Sequence, residues 1–173
     1  MQNPNTPFDT SKIAAATAGM IADLDGLKEY NRNLVDEFCA NGGKVSGRFG
    51  GLPVLLITAT GAKSGKSHTR PLVYSEDRGR LVIAASAAGA PFHPPWYWNL
   101  KVHPKMIVEV GRESFSAIAI EAEGAERDRL YRRHADLMPV FDEYAVKTAG
   151  VRRIPVFTLE RVTTAARSSE GST

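Results

Sequence analysis

The stretch PVLLITATGAKSGKSHTRPLVYSE, residues 53–76, decides how this chain is read. It opens on a continuous apolar run, Pro53–Thr60, breaks at Gly61–Gly65, and resumes as a second extended run from Thr69 to Glu76. Two such runs joined by a short Gly-rich turn predict an antiparallel hairpin. The turn TGAKSGKS resembles a phosphate-cradling P-loop, but its glycines are one residue too close together. Pro71 and the β-branched residues after it also favour a strand over the helix that a P-loop must start. ATP or GTP hydrolysis is therefore excluded. A Gly-rich hairpin still exposes backbone N–H groups, and here Lys63, Lys66, Arg70 and His68 surround them. The competing reading of the same residues is an ordinary polar hairpin tip.

Outward from this hairpin the pattern continues as short strands. Arg80–Ser86, Lys105–Val110, Ser114–Glu123 and Ile154–Arg161 read as strands, with turns at Asp77–Gly79 and Gly111–Glu113. Helical periodicity is confined to four places. Residues 26–41 put Leu27, Tyr30, Leu34, Val35 and Phe38 on one face, with Asp25 as cap and Gly42-Gly43 as stop. Pro95–Val102 begins with the proline that suits a first helical turn. Ala125–Leu137 and the segment from Pro139 to about Ala149 complete the set. Strands do not alternate with helices as a doubly wound sheet requires, so the fold class is mainly β (α+β): a six-stranded barrel with peripheral helices.

With 173 residues the chain has the length of one domain, expected over 26–162, flanked by a flexible arm, 1–25, and a disordered tail, 163–173. Its single cysteine, Cys39, excludes an internal disulfide and suits a reducing cytoplasm. The apolar run Ile13–Ala22 is too short and too interrupted to span a membrane; a helical or frayed arm is expected, with surface contact to a membrane as the lesser reading. Net charge is −1 over residues 1–51, +4 over 52–116 and 0 over 117–173. The basic excess is too local for a nucleic-acid-binding face and suits one small polyanion. The four histidines lack metal-ligand spacing, and no GxSxG, Cys/His or GxGxxG arrangement occurs. Arg127, Arg129, Arg132 and Arg133, interleaved with acids, read as a solvated helix face.

Two further segments bear on chemistry. Ala84-Ala85-Ser86-Ala87-Ala88-Gly89-Ala90-Pro91 has side chains small enough for a flat ring to approach the backbone. Crowding by neighbouring elements would explain the same composition. His93-Pro94-Pro95-Trp96-Tyr97-Trp98-Asn99-Leu100 follows directly, and Phe92–Trp98 holds four of the chain's 14 aromatic residues. Aromatics this dense usually belong to a core, but beside a small-residue loop they suit the wall of a planar-ligand pocket.

The ordered triplet GAKSG…RPLVY, AAS–AAGAP and HPPWYWNLKVHP, preceded by DEFCANGGKVSGRFGGLPVLLITATG, resembles the deazaflavin-dependent nitroreductase family of actinobacteria, over roughly residues 28–162. The resemblance implies a split β-barrel of flavin-reductase type and coenzyme F420, an 8-hydroxy-5-deazaflavin with a ribityl phosphate and a lactyl-oligoglutamate tail. It places Ala62, Lys63, Ser64, His68, Thr69, Arg70, Pro71, Leu72 and Val73 on the phosphate and tail side. Ala84, Ala85, Ser86 and Ala87 would line the ring, and Pro95, Trp96, Tyr97, Trp98 and Asn99 would close the groove. Ser86 and Tyr144 are the expected catalytic residues, and Met138, Phe141 and Tyr144 the expected substrate pocket. Two departures stand out. His68 replaces an arginine that many members carry. The segment Met138–Tyr144 keeps only one of the tyrosines common among nitro-reducing members. The expected activity is hydride transfer from reduced F420 to a planar acceptor such as a quinone, an enone or a nitroaromatic. An FMN reductase of the same fold, and a non-catalytic deazaflavin or apolar-ligand carrier, are the alternatives.

Overall fold

The computed structural model describes residues 3, 5–13 and 24–163. Most of the expected arm and tail therefore lies outside the described residues. Helix α1 spans Leu24–Ala40 and ends where Gly42 and Gly43 adopt φ of 62° and 88°. Seven strands follow: β1 Val54–Thr60, β2 Ser67–Val73, β3 Ser75–Asp77, β4 Arg80–Ala84, β5 Lys105–Val110, β6 Glu113–Glu121 and β7 Val156–Arg161. Helix α2, Pro95–Val102, lies between β4 and β5; α3, Gly124–Leu137, and α4, Val140–Thr148, lie between β6 and β7. Every strand pair is antiparallel, in the order β2-β1-β5-β6-β7-β4-β3.

The strand count corrects the expected six. The run Thr69–Glu76 is divided at Tyr74, whose N–H donates to Pro53 O at 3.0 Å. Val73 is still paired with Val54 of β1, while Ser75 is already paired with Val82 of β4. One continuous segment thus hydrogen-bonds at both ends of the strand order, to β1 through β2 and to β4 through β3, which curls the sheet into a half-barrel.

Burial follows the curl. In β1, Leu55, Ile57 and Ala59 point into the barrel with Ile83, Met106, Val108, Ala117, Phe157 and Leu159. Val54 and Leu56 point outward, against Phe38 of α1. Covered on both faces, β1 reads as an unbroken apolar run rather than an alternating one. Trp96, Tyr97 and Leu100 of α2 enter the barrel cluster and plug one end. A second cluster packs Leu130, Tyr131, Ala135, Val140, Phe141 and Tyr144 of α3 and α4 against Val82, Ala84 and Val156. Part of the N-terminal segment belongs to it: Ile13 is buried there, and Thr10 Oγ1 accepts from Val140 N at 3.0 Å.

Of the α3 arginines, Arg132 is on a solvated face as its spacing suggests, paired with the exposed Asp136 and Asp142, but Arg127 and Arg129 are not. Arg129 donates both terminal nitrogens to Asp77 at 2.9 Å, and Arg80 adds a bond at 2.8 Å. Asp77 is buried, and the hydrogen bonds from Arg129 first, then from Arg80, hold its carboxyl far below the usual carboxylate range. Arg127 donates twice to Ile154 O, at 2.7 and 3.1 Å, and lies over the Tyr131 ring. These arginines hold α3 to β3 and to the entry of β7. Period alone could not show it, because the acceptors lie 27 and 52 residues away in sequence.

His134 is fully buried, with Nδ1 at 2.7 Å from Ser75 Oγ and no partner for Nε2 among the described residues. Burial pushes its pKa down to about 3, so the folded protein keeps this imidazole neutral. The unfolded chain takes up a proton as pH falls through the ordinary histidine range, and the folded one does not until about 3. The stability that this residue contributes is therefore complete above the ordinary pKa and declines on acidification at about 1.4 kcal/mol per pH unit. Urea unfolding at a series of pH values between about 6 and 4 should show that slope. The pair Ser75→Ala with His134→Leu should flatten it. An equal slope in both proteins would remove His134 as the cause.

Candidate active site

One cleft of about 430 Å³ opens between the outer side of β2, the end of β4, the start of α2, and helices α1 and α4. Each wall has a local cause. The wall from β2 is Arg70–Val73, half-buried because the strand sits at the sheet edge beneath α1. Opposite it, Ala84 ends β4 and hands the chain to a tight turn, Ala87–Gly89, preceded by Ser86. Ala87 and Ala88 have φ of 45° and 54°, left-handed values that are unusual outside glycine, and Gly89 follows at 78°. Pro95 and Trp96 supply the third side, and Val140, Phe141 and Tyr144 the fourth. The lining is mostly apolar, with cations from Arg70, Lys28 and Arg48.

Eleven of the expected site residues meet in this cleft: Arg70, Pro71, Leu72, Val73, Ala84, Ser86, Ala87, Pro95, Trp96, Phe141 and Tyr144. Others stand behind its walls. Ala85 and Met138 are wholly buried, and Tyr97 points into the barrel, where its hydroxyl donates to Glu121 at 3.2 Å. Trp98 is 54% exposed, edge-on to His93 and Tyr97. Lys63, Ser64, His68 and Thr69 are exposed on the hairpin. The hairpin is tied to α2 by the Ala62 N–H, which donates to Asn99 Oδ1 at 2.9 Å. Of the hairpin cations Arg70 lines the cleft while Lys63 and Lys66 lie outside its lining, and none of the three forms an ion pair among the described residues.

Several lining residues escaped the sequence reading. Leu27, Lys28 and Asn31 come from α1, whose apolar stripe was visible but whose destination was not. Arg48 and Phe49 come from a short 3₁₀ turn, where Arg48 lies 4.9 Å from the Tyr30 ring centroid. Arg152 carries no local signal at all. From behind the turn it donates to the carbonyls of Ala85, Ser86 and Ala90 at 2.7–3.1 Å.

A curled antiparallel sheet plugged by one helix, with an apolar cleft against a small-residue turn and cations at its rim, defines a split-barrel reductase of the flavin-reductase-like class. The model of the F420H(2)-dependent quinone reductase family matches residues 30–161, and the chain belongs to that family. It is an F420-dependent reductase with coenzyme F420 as cofactor. Among its relatives, the F420H(2)-dependent quinone reductase Rv1261c of Mycobacterium tuberculosis is 33% identical over 69% of this chain and 81% of its own length. A solved F420H2-dependent reductase, FDR-A, is 40% identical, with a TM-score of 0.57 over 62% of this chain and 94% of that one. A solved domain-swapped dimer is 36% identical, with a TM-score of 0.59 over 79% of this chain and 98% of that one. The residues present suit the cofactor. A flat ring would fit the mostly apolar lining beside the small-residue turn, and an anionic arm would meet Arg70, which forms no ion pair among the described residues.

Gly89 tests the floor. A Cβ built there would lie 2.9 Å from Lys147 Cδ and 3.3 Å from Tyr144 Cδ1, in a backbone conformation that alanine resists. Gly89→Ala should lower stability by roughly 1–3 kcal/mol in urea unfolding. Gly79→Ala, at a similar φ of 79° with nothing within 4 Å, should cost less. Equal losses would mean that the packing of the turn on α4 contributes nothing.

Proposed function

We propose that this protein passes a hydride from reduced F420, bound in the cleft, to a quinone. The observation that carries the reading is the make-up of that one cleft: a mostly apolar lining that takes in the Ser86–Ala88 turn, with Arg70 of β2 among its cations. Bound there, the reduced deazaflavin supplies the hydride from its C5 carbon.

The chain's own residues bind, orient and exclude water. Lys63, Ser64, Arg70 and Pro71 are assigned to the phosphate and tail, where Arg70 offers a planar fork to an oxyanion. Ala84, Ser86 and Ala87 would line the ring, and Pro95 and Trp96 would close the groove over it. Phe141 and Tyr144, with Leu27 and Phe49 facing them across the cleft, leave a flat apolar space for the acceptor. A quinone that takes up a hydride needs one proton to become a quinol. Tyr144, buried and lining the cleft, is assigned to hold that proton, with water as its source. A slot this apolar favours quinones over more polar acceptors, and holding both partners in register is the protein's main contribution to rate.

The deciding experiment combines titration with turnover. Fluorescence titration should give micromolar or tighter F420 binding and much weaker FMN binding, and menadione should be reduced at the expense of reduced F420. Enone and nitroaromatic acceptors run beside it rank the substrate class. Arg70→Ala should weaken F420 binding roughly ten- to a hundred-fold, since a charge-assisted bond contributes about 1.5–3 kcal/mol. Its rate at saturating cofactor should change little. Lys63→Ala, on the exposed hairpin, should lose less and lose it only at low salt. Equal affinity for FMN, or normal F420 binding by Arg70→Ala, would overturn the assignment. Binding without turnover of any acceptor would favour a carrier.

A further inference from the structure

Arg152 follows α4, outside the cleft and behind the turn that floors it. Its guanidinium is spent almost entirely on that turn. Nε donates to Ala90 O at 2.9 Å, Nη1 to Ala85 O at 3.1 Å and to His93 Nδ1 at 3.0 Å, and Nη2 to Ser86 O at 2.7 Å. That uses four of the five N–H groups a guanidinium has.

The consequence follows from peptide geometry. In a planar trans peptide the C=O and the next residue's N–H point in opposite directions. Drawing the Ser86 carbonyl back to Arg152 turns the Ala87 N–H away from it, toward the cleft that Ala87 and Ala88 line. The Ser86 N–H folds onto Ala84 O, and Gly89 and Ala90 donate to Ser86 O and Ala87 O. The Ala87 and Ala88 N–H groups donate to nothing among the described residues. Both residues sit at left-handed φ, which an alanine holds only where its surroundings over-determine it. Arg152 ties down carbonyls on both sides of the pair, those of Ser86 and Ala90.

We infer that Arg152 is a positioning residue: it aims the Ala87 amide at the ligand ring and sets a fixed positive charge behind it, so that the cleft selects a ring whose edge is anionic. This rests on the cofactor reading above and extends it to a residue that never touches the cofactor. The other charged or titratable groups around the turn cannot replace it. His93, held below its ordinary pKa first by burial and then by Arg152, accepts from Arg152 through Nδ1 and stays neutral. Lys147 and Tyr144 of α4 pack on Gly89, and Arg70 stands across the cleft on β2. Among these side chains only Arg152 donates to the turn's carbonyls.

The test compares wild type with Arg152→Gln, which is neutral, and Arg152→Lys, which keeps the charge but not the fork. The first measurement needs no ligand: ¹⁵N relaxation of residues 86–90 in the free protein. Wild type should show the order of a rigid backbone, and both variants a marked loss confined to the turn. The second is the absorbance titration of bound oxidised F420, whose 8-hydroxyl ionises with a change of spectrum. Arg152→Gln should move that ionisation up by about one pH unit, a tenfold loss of preference for the anion, and Arg152→Lys by much less. A turn that stays ordered in both variants, or an unshifted titration in a folded Arg152→Gln, would make Arg152 only a strut and overturn the inference. If Arg152→Gln does not fold, Arg152→Lys decides through the relaxation measurement. If wild type fails to bind F420, the cofactor reading fails, and the order of the turn still tests how Arg152 holds its amides.

Discussion

Hydrogen bonding of the segment Ser67–Asp77 at both edges of the sheet is the constraint from which the rest of the molecule follows. Because Val73 pairs with β1 and Ser75 with β4, the two edges are held within two residues of each other. The sheet must curl, its concave face closes around Leu55, Ile57, Val108 and Phe157, and α2 is left one end to plug. The same closure sets the width of the cleft. One wall is the outer stretch of β2, and the floor begins where β4 stops, so wall and floor belong to elements that a single strand segment locks together.

Arginine clamps hold what the sheet leaves loose. Arg129 and Arg80 fix α3 to the buried carboxylate of Asp77, Arg127 grips Ile154 O, and Arg152 gathers three carbonyls of the turn. Removing one partner of such a set leaves a buried charge or carbonyl uncompensated, which costs more than the net value of the bonds. A planar guanidinium suits this work because its donors are already arranged in a fork. The two classes of cation differ in use. Arg80, Arg127, Arg129 and Arg152 are committed to internal acceptors, whereas Lys63, Lys66 and Arg70 on the hairpin form no ion pair among the described residues and keep their charge available for an anion from outside.

Most elements were legible because their signals are local. Gly-rich turns, Pro95 at a helix start and the apolar runs of β1 and β5 each declare themselves within about ten residues. The division of one strand into β2 and β3 was not legible, since it arises from a change of partner and not from a change of residue type. Within the site, the hairpin, the alanine-rich turn and the proline–tryptophan helix start were visible as three separate segments. Their place around one ligand was expected only through the family resemblance, and Lys28, Arg48 and Arg152, whose roles depend on elements far along the chain, were not legible at all.

What the sequence by itself determined is therefore the inventory: an antiparallel hairpin in place of a nucleotide loop, a mainly β barrel with peripheral helices, a basic hairpin, a floor of small residues and an aromatic wall. Only the tertiary structure decided which of these share a space. Tyr97 and Trp98 are adjacent in sequence, yet one fills the barrel and the other stands in solvent, because successive residues of a helix point about 100° apart. Arg127 and Arg152 look in the sequence like any surface arginine, and each is committed to backbone that folding brings from 27 and from 62–67 residues away. Local spacing specifies secondary structure. The partners of a buried charge are specified by whichever unsatisfied carbonyls the closed barrel presents to it.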